Sequence, residues 1–370
     1  MYVSCYNFAN VFKWQLSKCS KNSYSVGMKT LSVTLIVRNE ETNLARLLPE
    51  LTFADEVVVV DTGSTDNTVN VASNYTDNVY RFTWIDDFAK ARNYAISKAT
   101  SQYVMWLDAD DVIPENTKKC IMGWKKSPDT ADVYYLKYRL DGEFPFWFWR
   151  ERIVRNCNKC RFKGFIHEVI IPFGEVKYLD CEVLHKPTAS HEQRNLSIYR
   201  KAIAERRRFT LRDKFYYAKT LIECNQADDA RDILQAFARN NHAYVVDRVE
   251  AYKLLANDAL SRDVNEALSY LARSVRLLPP NGETCCLFGN CYMKKHDFRH
   301  AAQWYTYALN SHSQSGFINE YYVNFLPHVQ LSVCLWYLGD RTNAKFHHEA
   351  AKAISPNNPT VLANDIFFNS

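Results

Sequence analysis

Residues 31–61 read LSVTLIV, RNEETNLARLLPELTFAD, EVVVVD, and the alternation within them decides the fold. Leu31–Val37 is a short apolar run rich in β-branched residues, which predicts a strand buried on both faces. Leu44, Leu47, Leu48 and Leu51 follow at helical spacing. Residues 56–60 are a second buried strand, ending in Asp61. Gly63-Ser64-Thr65-Asp66 then makes a turn, with Asp66 as the cap of a helix through Val69 and Ala72. Residues 79–82 predict a third strand, 88–99 a helix, and Tyr103–Leu107 a fourth strand that runs into Asp108-Ala109-Asp110-Asp111. Strands alternating with helices predict an α/β domain, a mostly parallel sheet with helices on both faces. Ligands of such sheets bind beyond the carboxyl ends of the strands. Arg38, Glu40, Asp61 and Asp108 all stand at such ends.

Working outward, residues 133–185 are aromatic and turn-rich, with Phe144-Pro145-Phe146-Trp147-Phe148-Trp149 at their centre. They predict mixed strands completing the same domain. The aromatic run could stack on a sugar or clamp a peptide; alternate core positions are the plainer reading. From about residue 195 the chain is helical. Ala230, Ala267, Ala301 and Ala344 recur at separations of 37, 34 and 43 residues. Each is followed four residues later by Leu234, Leu271, Tyr305 and, as the exception, His348. Gly289, Tyr292, Ala301, Tyr305 and Ala308 fit a tetratricopeptide repeat of about 34 residues. The predicted organisation is an arm over 1–28, an α/β domain over 29–194 and an all-α tetratricopeptide-like helical repeat domain over 195–370. Met28 just precedes the first strand, so the arm reads as a loose segment or an upstream start.

Composition narrows the function classes. The chain has 370 residues, 47% hydrophobic and 24% charged, which excludes disordered and low-complexity classes. A net charge of +5 without a basic block gives no footprint for nucleic acid. No apolar run reaches the ~18 residues of a membrane span. The 11 cysteines, with no apolar leader before them, predict reduced thiols and a cytoplasmic setting. Cys157 and Cys160 form one CxxC, and no second pair stands at zinc-site spacing.

Asp108-Ala109-Asp110 is the strongest chemical signal. Two carboxylates at a strand end offer hard oxygen ligands for Mg²⁺ or Mn²⁺, which in turn bind a diphosphate. An acidic helix start is the structural alternative. The ordered set LSVTLIVRNEE, EVVVVDTGSTDNT, DDFAKARNYAISKATSQYVMWLDADD and RFKGFIHEVI resembles the family-2 glycosyltransferases of GT-A fold. The helical tail resembles the tetratricopeptide-bearing branch, to which the sublancin-type peptide S-glycosyltransferases belong. The resemblance implies a metal-dependent inverting transfer from a nucleotide sugar, with UDP as the expected carrier. It implies that Arg38, Glu40 and Asp61 help hold the nucleotide and that Arg92, Asn93, Asp108 and Ala109 line the donor pocket. Asp110 and His185 would ligate Mn²⁺ or Mg²⁺. Glu168 would be the general base, with His167 as its alternative, and the metal and Arg92 would stabilise the departing diphosphate.

The implied partners are the nucleotide-sugar donor and a peptide or glycan acceptor held in part by the repeats, which also offer a surface for a homodimer. The acceptor could be a Cys or Ser/Thr side chain of a bacteriocin-type peptide, a surface polysaccharide or a lipid-linked glycan. A nucleotidyltransferase is a rival, but Arg38-Asn39-Glu40-Glu41 lacks the glycine-rich loop it needs. A repeat scaffold with an inactive catalytic half is the rival from another class.

Overall fold

The computed structural model describes residues 28–140, 142–187, 191–311 and 317–368. The predicted arm, apart from Met28, lies outside them. The chain runs β1 (Leu31–Val37), α1 (Glu41–Leu47), β2 (Glu56–Asp61), α2 (Thr68–Ser73), β3 (Val79–Arg81), α3 (Phe88–Lys98) and β4 (Tyr103–Leu107). It continues through β5 (Asp111–Val112), α4 (Glu115–Lys126), β6 (Val133–Leu140), β7 (Phe146–Arg155), β8 (Phe162–Lys163), β9 (Val169–Ile170) and β10 (Val176–His185). The main sheet has the order β3-β2-β1-β4-β7-β6-β10-β5.

Its first four strands are parallel, as the alternation predicts. β7 runs antiparallel to both β4 and β6, so the sheet as a whole is mixed. The β-branched runs are buried as expected: Val58, Val59 and Val60 of β2 are fully enclosed. Leu44 and Leu47 of α1 share a core with Val59, while Val58 and Val60 pack with Ala95 of α3. The N-cap of α2 is Asn67, one residue past the predicted Asp66, whose Oδ1 accepts the Thr68 N–H at 3.0 Å.

The helical region comprises α5 (Glu192–Ala204), α6 (Leu211–Glu223), α7 (Ala227–Arg239), α8 (Val245–Leu260), α9 (Val264–Val275), α10 (Gly282–Lys294) and α11 (Phe298–Leu309). Then come β11 (Phe317–Asn319), α12 (Leu326–Tyr337), α13 (Arg341–Ile354) and α14 (Pro359–Phe368). Successive helices pack as pairs, α6 on α7, α8 on α9, α10 on α11 and α12 on α13. The four recurring alanines sit one in each second helix, and all are fully buried. Gly289 of α10 shows why small residues recur: a Cβ there would stand 2.6 Å from the Tyr305 ring of α11. The exceptional His348 is buried because its Nε2 pairs with Asp365 at 2.9 Å.

The 43-residue spacing between Ala301 and Ala344 has a structural cause. The extra length carries β11, which pairs antiparallel with Phe146–Phe148 of β7. It also carries a π-helical turn over Tyr321–Phe325 that packs Phe325 on Phe144, with ring centroids 4.5 Å apart. The helical region therefore returns to the sheet at the Phe146–Phe148 end of β7, beyond the stretch of β7 that pairs with β4.

Candidate functional site

The cleft forms where β1, β2 and β4 end. Asn39 adopts a left-handed backbone (φ 56°), and its Oδ1 accepts the Thr65 N–H at 2.7 Å. The Glu40 N–H donates to Thr68 Oγ1 at 2.7 Å. These bonds zip the loops after β1 and β2 together. A cavity of about 420 Å³ opens beside them. Arg38, Glu40, Arg92, Asp108, Ala109, Asp110, His167, Glu168 and His185 all line it.

Asp61 and Asn93 do not line this cavity. The Asp61 carboxylate accepts the N–H groups of Gly63 (3.2 Å) and Ser64 (3.0 Å), so it shapes the loop. Thr62, its neighbour, faces the cavity instead. The Asn93 side chain exchanges two hydrogen bonds with the backbone of Phe162, at 3.0 and 2.8 Å. It anchors β8 against α3.

Arg92 is the hub of the cavity floor. Its Nη2 donates to Asp108 Oδ1 and its Nε to Glu168 Oε1, both at 2.6 Å. Its guanidinium also lies over the Trp106 ring, 4.7 Å from the centroid. Burial alone would raise the Asp108 pKa; Arg92, Arg152 and His185 outweigh it and hold the carboxyl well below the ordinary range.

Asp111 supports the site from beneath. It is fully buried, and its two oxygens meet Tyr138 Oη, His185 Nδ1, the Asp108 N–H and Arg152 Nη1. Asp110 instead faces the cavity, with Oδ1 3.4 Å from His185 Nδ1. Burial, together with Asp108 and Asp111, pushes its carboxyl up to about 6, against the pull of His185. Burial disfavours the His185 imidazolium, but the Asp111 hydrogen bond and the three carboxylates raise its pKa.

This chemistry fits a divalent cation. Asp108, Asp111 and His185 offer ligand atoms within 4.8 Å of one another. The oxygens of Asp111 already have protein partners, so the groups aimed at the cavity are Asp110, Asp108 and His185. With Nδ1 held by Asp111, His185 keeps Nε2 for a metal, the usual carboxylate–histidine–metal arrangement. Asp110 is a carboxylate whose charge lacks a full cationic partner, which a bound cation would supply.

His167 takes a left-handed backbone (φ 52°) and stacks on Tyr216, with centroids 4.4 Å apart. Burial and the cations Lys219 and Arg212 push its imidazole well below the ordinary value, so it is neutral at pH 7.

Some lining residues carry no signature in the sequence reading. Arg150 reaches the cavity from β7, which carries an extra residue, Arg152, opposite Tyr134 and Tyr135. Such bulges re-aim side chains beside active sites. The signal was present: Arg150, Glu151 and Arg152 are three consecutive charges between the apolar runs Phe146–Trp149 and Ile153–Val154 of β7. Arg194 and Asn195 reach it from α5, the helix in which the predicted domain boundary falls.

Residues 32–207 match the family model Glycosyl transferase family 2. The α/β domain is thus similar to that family, and a tetratricopeptide-like helical region follows. A TPR repeat-containing protein of Synechococcus elongatus is 31% identical over 145 residues, 39% of this chain and 36% of that protein. The SPbeta prophage-derived glycosyltransferase SunS of Bacillus subtilis is 27% identical over 144 residues, 38% of this chain and 34% of that protein. The chain therefore spans about a third of the length of these relatives. Among solved structures, a thermophilic TPR protein of Thermus thermophilus aligns at a TM-score of 0.35 and 16% identity, over 48% of this chain and 90% of that one.

Proposed function

We propose that this protein is a metal-dependent inverting glycosyltransferase that moves a sugar from a UDP-sugar to a side chain of a polypeptide acceptor. The observation that carries the reading is Asp110. It faces the cavity beyond the parallel strands, beside His185, with its ionisation disfavoured until a cation arrives. Mn²⁺ or Mg²⁺ on Asp110 and His185, with Asp108 alongside, would supply Lewis acidity to the departing diphosphate.

The chain's own residues do the rest. Arg38, Glu40 and the loop held by Asp61 shape the nucleotide end. Arg92 is committed to Asp108 and Glu168, so its role is to fix those two carboxylates in place rather than to meet the phosphates. The acceptor atom attacks the anomeric carbon as the bond to the diphosphate oxygen breaks, and its proton passes to Glu168 or His167. Glu168 Oε2 and the His167 ring nitrogens accept no hydrogen bond from the described residues, which leaves either free for that proton. A cysteine acceptor, with a pKa of about 8.5, asks less of a base than a hydroxyl does.

Two features support a polypeptide acceptor. A second cavity of about 400 Å³ lies between α6, α8 and α10 and the edge formed by Phe146 and Asn319. Tyr216 lines it and stacks on His167 of the first cavity. Stacked helix pairs of this kind also offer an extended concave surface on which a polypeptide can lie. Donor hydrolysis tested across UDP- and GDP-sugars, with and without Mn²⁺, should give metal-dependent turnover for one UDP-sugar. No turnover and no binding of any nucleotide would leave the inactive scaffold as the better reading.

A further inference from the structure

Four arginines and five acids line the cavity, but they are unevenly paired. Arg92 is held by Asp108 and Glu168. Arg152 lies beneath, on Asp111 and the Trp106 carbonyl. Arg38 and Arg194 differ. Both line the cavity, one at the end of β1 and the other on α5, and neither forms an ion pair with the described residues. Arg194 meets the Asn195 side chain, at 3.4 Å, and the Phe88 ring, 5.0 Å from its centroid. Burial works most against the Arg194 charge; Glu168 and Asp108 support it, and Arg38 opposes it.

We infer that Arg38 and Arg194 are the two arms of a clamp for the diphosphate of the donor, so that the first helix after the sheet completes the donor site. The inference rests on the donor reading above. Two guanidiniums directed into one cavity repel each other when no anion lies between them. A diphosphate offers oxygens to both, and the planar guanidinium fork suits phosphate better than a point charge does. Phe88 backs the Arg194 plane and limits its swing. The helical region would then serve the donor as well as the acceptor.

The test is calorimetric titration with UDP, UMP and uridine in the presence of Mn²⁺. It compares the wild type with Arg194→Ala and Arg194→Lys, and melting curves verify that each variant folds. The clamp predicts that Arg194→Ala weakens UDP binding about tenfold or more, about 1.4 kcal/mol for each tenfold, and changes uridine binding less than about twofold. Lysine should restore part of the loss. Unchanged UDP affinity in Arg194→Ala, or an equal loss for uridine, overturns the clamp while the donor reading stands. A wild type that binds neither UDP nor GDP overturns the donor reading, and the clamp with it.

Discussion

The helical region and the cleft both carry clusters of charged side chains, but they treat them differently. In the helices the charges are matched. Lys253 is bracketed by Glu250 and Glu283, Arg231 by Asp228 and Asp258, and Asp365 by His348 and Lys352. In the cleft, Asp110 sits close to two other carboxylates, and Arg38 and Arg194 have no acid partner among the described residues. Matched charges hold a fold together at little net gain. Mismatched ones cost stability and persist where a ligand completes them.

The largest expected effect tests that mismatch. Asp110→Asn should lower metal-dependent turnover by about 100-fold or more, since one direct ligand is lost. It should also raise the melting temperature of the metal-free protein at pH 8, because an unfavourable charge is removed. A metal-free variant that melts lower than wild type would break the comparison.

Arg92→Ala is next. It leaves Asp108 and Glu168 without their buried partner and should cost about 3–5 kcal/mol in chemical denaturation. Glu168→Gln removes one candidate proton acceptor. If Glu168 is the base, kcat falls by about 10²-fold with donor affinity nearly unchanged; full activity passes the role to His167.

The pH dependence has a defined sign. The folded-state pKa of Asp110 is raised from 3.8 to about 6. Its contribution to metal-free stability is therefore full below about 4 and lost as pH rises through about 6. A metal needs the ionised carboxylate and a neutral His185, so the rise in melting temperature on adding Mn²⁺ should be larger at pH 7.5 than at pH 5.5. An equal rise at both values would count against Asp110 as ligand.

The smallest effect lies in the matched region. Gly289→Ala drives a methyl into the buried Tyr305 ring and should cost about 1–3 kcal/mol while leaving donor hydrolysis per folded molecule unchanged. A loss of hydrolysis without a loss of stability would tie the α10–α11 pair to the cleft.

Much of this was legible in the sequence because it is local. β1, β2 and β4 announce themselves as β-branched runs, and the acids at their ends follow from where the runs stop. The alanine period marks the second helix of each pair. What was not legible depends on register and return paths. Whether Asn93 faces the cavity depends on the approach of Phe162, 69 residues away. β7 carries an extra residue at Arg152, which a two-residue period cannot foresee. β11 joins β7 across a long stretch of chain, and its three residues carry too little pattern to declare a strand. That pairing also bears on design: a truncate ending near residue 210 would strip β11 from β7, so loss of function in it would not isolate acceptor recognition.

The central claim is that the cleft is a donor site completed by a cation. Its most direct test is titration of UDP into the intact protein at pH 7.5, with and without Mn²⁺, for wild type and Asp110→Asn. The account predicts that Mn²⁺ strengthens UDP binding to the wild type at least tenfold, about 1.4 kcal/mol, and does little for the variant. UDP binding that is indifferent to Mn²⁺ in the wild type, or equally enhanced in Asp110→Asn, would contradict it.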